Sequence, residues 1–255
     1  MIIRISVLIG LALMLSACLP AANIEPLVTE TAIPSNTPLP TEAIVWFPPT
    51  ATFTPFPTPG VTPTVDQRVD LGNVIFSDDF SVEGTWQLGR TQNSSAAIGV
   101  NELTIVTSGA RTYMSSIRDQ PVLTNFYLEI TAQPNLCRGM DEYGLLLRIT
   151  SHSDFYRFAL SCDGQIRFER IIDGTASVRQ PWAFSGSVPP GAPSTSRLAA
   201  AVLGDEMRFF VNDDFQFSIT DPLLNSGRIG VFARSASDTT LSVNFSDLIV
   251  WEIDE

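Results

Sequence analysis

The sequence predicts an all-β fold, either a β-sandwich, which the central meander favours, or a β-barrel, on three observations. Along Asp141–Asp173, apolar and polar residues alternate with the two-residue period of strands, and two tight turns divide the segment into three strands. The other strand-like segments of residues 66–255 are short and are separated by turn residues. No stretch of these residues has the periodicity of an amphipathic helix. We therefore expect one β-sandwich domain over residues 66–255.

The three-strand meander at Asp141–Asp173 has an apolar row and a mixed row on each strand. Its turns, at Ser151–Ser153 and Asp163–Gly164, contain residues that tight turns favour. We expect the apolar rows to be buried and the mixed rows to lie on the other face, because alternate side chains leave a strand on opposite faces. The apolar rows are Tyr143, Leu145, Leu147 and Ile149, then Tyr156, Phe158 and Leu160, then Ile166 and Phe168.

The remaining strands of the domain are predicted from the same alternation and from the turns between them. A long loop rich in Pro, Gly and Ser is expected over Pro181–Arg197. In chain order, the other strands are expected at Val74–Phe80, Trp86–Leu88, Glu102–Thr107, Arg111–Ile117, Phe126–Ile130, Leu198–Leu203, Met207–Val211, Asp214–Ile219, Arg228–Ala233 and Leu241–Ile253.

Residues 1–17 predict a secretory signal peptide. Arg4 precedes an apolar run at residues 5–15, which is shorter than the roughly 20 residues that a membrane-spanning helix needs. The sequence LSAC at residues 15–18 resembles the lipobox of bacterial lipoproteins. That resemblance implies cleavage before Cys18 and a diacylglyceryl group on Cys18. The domain would then be anchored to the cell membrane on its extracytoplasmic side.

Residues 18–65 predict a disordered tether. Of the 18 prolines in the chain, 11 lie between Pro20 and Pro63, many of them beside threonine. Such a sequence favours extended polyproline II geometry and offers little apolar surface for a core. About 45 residues at ~3.1 Å each would let the tether reach at most ~140 Å from the membrane.

The charge balance narrows the range of functions. The formal net charge is −12, with 15 arginines and no lysine. A catalytic Schiff base on a lysine side chain is therefore excluded. An acidic chain with scattered arginines also argues against a nucleic-acid partner. Solubility is the simplest explanation of the negative charge.

Cys137 and Cys162 predict a disulfide, because cysteines of a secreted domain meet an oxidising environment. A hairpin turn centred between Ser151 and His152 places Cys162 opposite Asp141, and Cys137 lies four residues before Asp141. A modest bend of the chain would bring the two sulfur atoms within bonding distance. Two buried thiols are the alternative.

Eight motifs follow one another along the domain: FSDDFS, GTW, NELTIV, YGLLLR, FYRFALSCDGQIRFER, MRFFVNDDF, SGRIGVFA and VNFSDLIVWEI. Their order resembles the concanavalin A-like lectin and glucanase superfamily, especially LamG-like domains and jelly rolls of the 3-keto-disaccharide hydrolase type. The resemblance covers Gly72–Ile253. It implies a jelly roll of two antiparallel sheets, one of them concave, with adjacent first and last strands. Asp213 stands where the superfamily usually has glycine in a V-N-G turn, and Asp tolerates that turn conformation.

The domain lacks the carboxylate motif of a glucanase. Glycoside hydrolysis needs two carboxylates flanking the scissile bond, and the family-16 glucanases of this superfamily carry them as E-x-D-x-x-E, which is absent here. His152, the only histidine, lies in a turn, where exposure is expected rather than a catalytic triad. We therefore identify no catalytic residue.

Among cofactors, only a structural Ca²⁺ fits the sequence, since some members of the superfamily bind it and calcium prefers carboxylate oxygens. The candidate ligands are Asp78, Asp79 and Asp247. The simpler interpretation of these residues is turn formation and surface solvation.

A ligand-binding face is the remaining candidate site. Arginines of three neighbouring meander strands fall opposite the apolar rows, and Trp182 and Phe184 on the long loop would supply aromatic rings. Arginine and acidic side chains hydrogen-bond sugar hydroxyls, and rings stack on sugar faces. The alternative is a solvated face with cross-strand ion pairs. The candidate ligand-binding residues are Arg148, Tyr156, Arg157, Arg167, Glu169 and Trp182.

These observations favour a lipid-anchored module that binds carbohydrate, or another partner in the cell envelope, without catalysis. The first alternative is a sugar-acting hydrolase, which rests on the fold resemblance alone. The second is a structural or sensory envelope protein with no small ligand.

Overall fold

The computed structural model of the chain describes residues 69–82 and 84–253, which form 15 β-strands. Three predicted features lie outside the described residues: the signal peptide at residues 1–17, the lipid attachment at Cys18 and the tether at residues 18–65. Within the described ranges, no helix is long and apolar enough to cross a membrane.

The larger sheet contains nine antiparallel strands of the described chain. In spatial order it runs β13 (Asp214–Thr220), β12 (Glu206–Val211), β11 (Ser196–Leu203), β6 (Phe126–Leu136), β15 (Leu241–Ile253), β4 (Leu103–Thr107), β3 (Ser94–Ile98) and β2 (Gly89–Arg90), with β1 (Leu71–Asp78) also paired to β15. The first and last strands of the domain are therefore adjacent, as the resemblance implied.

The smaller sheet contains six antiparallel strands. In spatial order it runs β10 (Thr175–Phe184), β9 (Gln165–Ile172), β8 (Asp154–Ser161), β7 (Glu142–Ser151), β14 (Arg228–Arg234) and β5 (Tyr113–Ile117). The predicted meander supplies β7, β8 and β9, and it continues through one more hairpin into β10.

The core lies between the inner faces of the two sheets. Phe158 and Phe168 of the six-stranded sheet meet Phe209 of the nine-stranded sheet, with ring centroids 4.7 and 4.8 Å apart. The apolar rows of β8 and β9, and those of β7 as far as Leu147, are buried in this core, as their two-residue period predicts. The prediction of an all-β sandwich with two antiparallel sheets is confirmed.

Several segments differ from the predicted strands, and three of them are instructive. Trp86–Leu88 makes only an isolated bridge, between Trp86 and Arg118. Ser94–Ile98 is a strand that the prediction omitted, because its serines and alanines show little apolar alternation. Pro181–Phe184, assigned to a loop, is the end of β10. A proline fits there because β10 is an edge strand, where a residue without an N–H group is tolerated.

Cys137 and Cys162 form a disulfide, with their Cα atoms 5.5 Å apart. The hairpin register brings them together: the backbone N–H of Cys162 donates to the carbonyl of Asp141 at 2.9 Å. The loop before β7 then bends back far enough for Cys137 to reach the same place. This closed loop ties the end of β6 to the meander.

Strand β7 contains a bulge at Arg148. Its register with β8 is regular from Glu142 to Leu147 and shifts before Ser151. Arg148 has a φ of 49° in this bulge, a conformation that non-glycine residues seldom adopt. The chain entering β14 approaches closely here, since a Cβ atom on Gly227 would lie 2.3 Å from the carbonyl carbon of Arg148. The bulge redirects the Arg148 side chain away from the row that the sequence predicts.

The Arg148 side chain is completely buried at one end of the sandwich. Its Nη1 donates to the carbonyl of Leu224 at 2.7 Å, and its Nη2 donates to the carbonyls of Thr124 at 3.1 Å and Gly204 at 2.5 Å. The prediction that Arg148 lies on an open binding face is therefore wrong. The physical reason is the bulge, which a strictly alternating strand does not contain.

The buried tyrosines predict a loss of stability at alkaline pH. Tyr143 and Tyr156 are fully buried, and burial raises the pKa of each phenol from 10 to about 12. Between pH 10 and pH 12 the unfolded chain releases protons that the folded chain still holds, so stability present below pH 10 declines through this window. We expect about 2–3 kcal/mol per tyrosine at the upper end. Urea denaturation across this pH range measures the decline, and Tyr156→Phe should make it smaller. An equal decline in the variant would contradict the assignment to Tyr156.

Candidate functional site

The outer face of the six-stranded sheet contains a depression of about 220 Å³, which we call the arginine pocket. It lies on the side of β7, β8 and β9 that points away from the core. Its walls combine three arginines with one acidic and one aromatic residue. The pocket is lined by Arg111, Met140, Glu142, Arg167, Trp182, Arg234 and Ala236.

The strand that runs between the walls of the pocket carries small side chains. Strand β8 lies between β7 and β9 and places Ser161 opposite Glu142 and Ala159 opposite Arg167. Ser161 and Ala159 are both buried. The longer side chains of Glu142 and Arg167 therefore lie on either side of β8, and the small outward side chains of β8 leave space between them.

Glu142 forms one wall and has a carboxylate oxygen that nothing satisfies. Its Oε1 accepts a hydrogen bond from Arg234 Nη1 at 2.8 Å, because the two residues face each other on β7 and β14. Its Oε2 is buried and has no hydrogen-bond partner among the described residues. Glu142 as a whole is only 4% exposed. A buried acceptor of this kind costs free energy until water or a ligand donates to it.

Arg167 forms another wall and has a matching donor. Glu169, one of the most buried acids of the face, forms salt bridges with both Arg157 and Arg167. The strand register explains this sharing, since Glu169 lies opposite Arg157 and two residues from Arg167 on the same face. Arg167 Nε remains buried without a partner among the described residues. Two residues of the pocket lining, Glu142 and Arg167, thus each contain a buried polar atom without a partner among the described residues.

Trp182 adds an aromatic surface to the pocket. The guanidinium carbon of Arg167 lies 5.6 Å from the centroid of the Trp182 ring, which is a cation–π contact. Phe184 follows two residues later on β10 and shares its face of the strand. The Phe184 side chain is 79% exposed. The β10 edge of this face therefore carries the half-buried ring of Trp182 and the exposed ring of Phe184.

A second aromatic group flanks the pocket on β14 and β5. Arg157 lies over the ring of Phe232 at 5.5 Å, and Tyr113 stacks on the same ring at 5.8 Å. Desolvation by the surrounding protein raises the pKa of Tyr113 above its ordinary value of 10, although 37% of the residue is open to solvent. This combination is expected of a side chain in the wall of a depression rather than on a convex surface.

Four of the six candidate ligand-binding residues lie on the predicted face. Arg167 and Trp182 line the pocket itself. Arg157 and Glu169 lie on the same face and hold Arg167 in position through their shared salt bridges. Trp182 reaches the pocket from strand β10, not from a loop as predicted.

Tyr156 is in the core, so its prediction as a residue of an open binding face is wrong. It belongs to the inner row of β8, and its hydroxyl donates to Asp221 Oδ1 at 2.9 Å and accepts from the backbone N–H of Leu224 at 3.2 Å. These bonds tie the core to the loop after β13. His152 is exposed in the turn between β7 and β8.

The candidate calcium ligands line a different depression, of about 360 Å³. The carboxylate of Asp78 accepts hydrogen bonds from Trp86 Nε1 at 3.0 Å and Arg118 Nε at 3.3 Å, so it acts as an internal clamp. In the part of the chain that the structure describes, no group of three or more His, Cys, Asp or Glu side chains is arranged to hold a metal. The arrangement of Asp78, Asp79 and Asp247 gives the calcium prediction no support.

The sequence missed three residues of the pocket that matter for its charge: Arg111, Glu142 and Arg234. Glu142 shares the row of Gly144 and Leu146 on β7, and that alternation was the one signal for its outward position. No local pattern in the sequence around Arg234 or Arg111 indicated that these side chains lie near Glu142. They reach the pocket because β14 and β5 pair beside β7, and that pairing joins distant parts of the chain.

The comparisons with known proteins give matches in structure only. No protein-family model matches the chain, and no curated protein matches its sequence. The carbohydrate-binding module CBM66 from Bacillus subtilis matches with a TM-score of 0.53 and 14% identity, over 66% of this chain and 96% of that chain. A protein of unknown function with a galectin-like fold, also from Bacillus subtilis, matches with a TM-score of 0.55 and 9% identity, over 74% and 100%. The β-glucanase of Bacillus licheniformis matches with a TM-score of 0.52 and 10% identity, over 72% and 99%.

These likenesses establish the fold, and at such low identity they establish nothing further. The chain contains the two-sheet jelly-roll sandwich of these solved structures, one of which is described as having a galectin-like fold. Among solved structures, that sandwich occurs both in a carbohydrate-binding module and in glucanases.

Proposed function

We propose that this chain is a carbohydrate-binding protein without catalytic activity, held at the outer side of the cell membrane by a lipid anchor. The arginine pocket is the proposed sugar site. One observation carries the proposal: Arg167 Nε and Glu142 Oε2 are a buried donor and a buried acceptor without partners among the described residues, and both belong to residues that line this pocket.

A sugar hydroxyl suits this pair because it donates one hydrogen bond and accepts others. Two neighbouring hydroxyls of one ring would satisfy Arg167 Nε and Glu142 Oε2, and the ring of Trp182 would cover an apolar sugar face. The pocket, of about 220 Å³, is smaller than the roughly 300–1,000 Å³ of sites that enclose a drug-sized ligand. We therefore expect it to hold a single sugar unit. The carbohydrate-binding module and glucanases among the structural neighbours support sugar as the ligand class.

The carboxylates of this face favour binding over hydrolysis. Glu142 on β7 and Glu169 on β9 lie two strand spacings and four residues apart in the register of the sheet, which places their Cα atoms about 16 Å apart. Glycosidases place their two carboxylates roughly 5–9.5 Å apart. Both acids are also engaged by arginines. A hydrolase acting through this pair would need a geometry that the strand register does not provide.

The lipid anchor is proposed from the sequence at Cys18 and from the Pro- and Thr-rich tether at residues 18–65. Lipidation of Cys18 would hold the chain on the membrane, and the tether would carry the sugar site away from it. The disulfide between Cys137 and Cys162 supports an extracytoplasmic location, because disulfides persist in oxidising compartments.

The proposal is tested by binding of the purified full-length chain to a panel of polysaccharides, measured by affinity electrophoresis and calorimetry. The panel contains β-1,3-glucan, xylan, mucin glycans, peptidoglycan and polymers of uronic acids. We expect at least one ligand to bind. We expect Arg167→Ala and Trp182→Ala each to weaken that binding by about tenfold or more, since each removes a direct contact.

Arg197→Ala is the matched control, because Arg197 is an exposed arginine of the other sheet with its own carboxylate partner, Asp213. It should bind like the unchanged chain. Binding that is insensitive to Arg167 and Trp182 would move the site elsewhere. Release of reducing sugar from a bound glycan would contradict the non-catalytic assignment, and silence across the whole panel would overturn carbohydrate binding.

A further inference from the structure

The charges of the arginine pocket are opposite in sign to the charge of the whole chain. The formal net charge of the protein is −12. The pocket is lined by Arg111, Arg167 and Arg234, with Glu142 as the one acidic residue of its lining. Glu142 compensates Arg234, and Glu169 is shared between Arg167 and Arg157. The site therefore concentrates positive charge on an otherwise acidic molecule.

Arg111 contributes a charge that no side chain among the described residues neutralises. It is exposed at the rim of the pocket, in the turn before β5. Among the described residues, no hydrogen bond, ion pair or ring contact engages its guanidinium. It has a φ of 59°, so the turn holds it in a left-handed conformation that asparagine or glycine would adopt more readily. An arginine at the rim of the pocket, without a partner in the described part of the chain, points to a group outside the protein.

Resting on the proposed carbohydrate binding, we infer that the pocket takes an acidic sugar, a unit that carries a carboxylate beside its hydroxyl groups. The carboxylate pairs with the guanidinium of Arg111, whose planar fork matches the two oxygens. The sugar hydroxyls meet Glu142 Oε2 and Arg167 Nε. Glycans built from uronic acids have this chemistry.

The buried acid of the pocket argues against a bare anion as the ligand. Glu142 Oε2 is an unpartnered acceptor in the pocket lining, so it repels a second negative group and needs a donor. A uronic acid presents a hydroxyl at one position and a carboxylate at another, which matches a pocket with an acceptor in one wall and a free cation at its rim. A sulfate ion, or a polymer whose hydroxyl groups are all sulfated, offers no donor for Glu142.

The negative charge of the rest of the chain makes binding of an acidic glycan diagnostic of a local site. A net charge of −12 repels polyanions in general, so attraction to an acidic glycan has to come from a local site. The experiment uses the full-length chain with polygalacturonate, alginate and hyaluronan, each with its carboxyl groups intact or reduced to alcohols. Dextran sulfate and dextran distinguish sulfate from carboxylate. Calorimetry at low and high salt measures each affinity.

At least one uronic-acid polymer should bind about tenfold or more tightly than its reduced form, and the advantage should shrink at high salt. Arg111→Gln should remove most of that advantage, because it weakens binding of the intact polymer far more than binding of the reduced form. Arg197→Gln, on the other sheet, should change neither. Because Arg111 has no partner within residues 69–82 and 84–253, its replacement is expected to leave the fold intact.

Equal binding of intact and reduced polymers would overturn the acidic-sugar inference and leave carbohydrate binding standing. The same holds if neutral glycans of the wider panel bind and uronic-acid polymers do not. If dextran sulfate bound as tightly as any uronic-acid polymer, and Arg111→Gln weakened both to the same extent, the pocket would recognise polyanions in general and the carboxylate inference would be wrong. Absence of binding to every polymer would overturn the proposed function itself.

Discussion

Replacing Arg148 by methionine should lower the free energy of unfolding by about 3–5 kcal/mol, because three backbone carbonyls each lose a charged donor. These carbonyls belong to Thr124, Gly204 and Leu224, in three different loops at one end of the sandwich. The Arg148 side chain is completely buried, so its loss leaves the Leu224 carbonyl buried without a donor, whereas the bonds to Thr124 and Gly204 are only partly buried. Methionine fills a similar volume and isolates the loss of the polar contacts.

The Arg148 guanidinium has an unusual environment for a buried charge. Its direct partners are backbone carbonyls, not a carboxylate. Burial accordingly lowers the pKa of Arg148 from its ordinary value of 12.5. The carbonyl dipoles of three loops converge on one cation, and this convergence is what the methionine variant removes.

Urea denaturation of Arg148→Met and of Arg197→Met provides the measurement. Arg197 is an exposed arginine paired with Asp213, and its replacement should cost less than about 1 kcal/mol. Arg148→Lys should fall between them, since one ammonium group cannot reach three carbonyls in the geometry of a guanidinium fork. Equal stabilities of Arg148→Met and Arg197→Met would show that the loops hold together without the Arg148 cation.

Replacing Glu169 by glutamine should lower the free energy of unfolding by about 3 kcal/mol, because it leaves two arginines without their carboxylate. Glu169 is 2% exposed and forms salt bridges with Arg157 and Arg167, which are themselves largely covered. Glutamine keeps the shape and one acceptor oxygen. Its amide NH₂ group would face a guanidinium donor, so one contact turns from favourable to unfavourable.

The matched control for Glu169→Gln is Asp213→Asn, which neutralises the acid of the exposed Arg197–Asp213 pair. Asparagine suits the left-handed conformation of residue 213, whose φ is 71°. Its cost should stay below about 1 kcal/mol. Thermal and urea denaturation of both variants test the difference, which should persist at high salt because the Glu169 contacts are shielded from solvent. If salt removed the difference, the Glu169 cluster would have to be regarded as an ordinary surface ion network.

Alternation along the strands predicts the position of some residues of the candidate site correctly and of others wrongly. Alternation along β8 and β9 predicts the outward position of Arg157, Arg167 and Glu169, and the strand register confirms it. The same rule fails at Arg148, where an extra stretch of chain in the bulge shifts the register. A bulge leaves only a weak signal in the sequence, since its cause is the fit between β7 and the loops around it.

The sequence by itself determined the inner rows of the strands, the order of the hairpins and the register that brings Cys162 to Asp141. Each of these depends on a period of two residues or on a turn between neighbours, which are local properties of the chain. Only the tertiary structure decided that β14 lies beside β7 and β5 beside β14, and so that Arg234, Glu142 and Arg111 surround one pocket. The pairing of distant strands is selected by burial of the whole core, and no local pattern encodes which outer side chains it brings together.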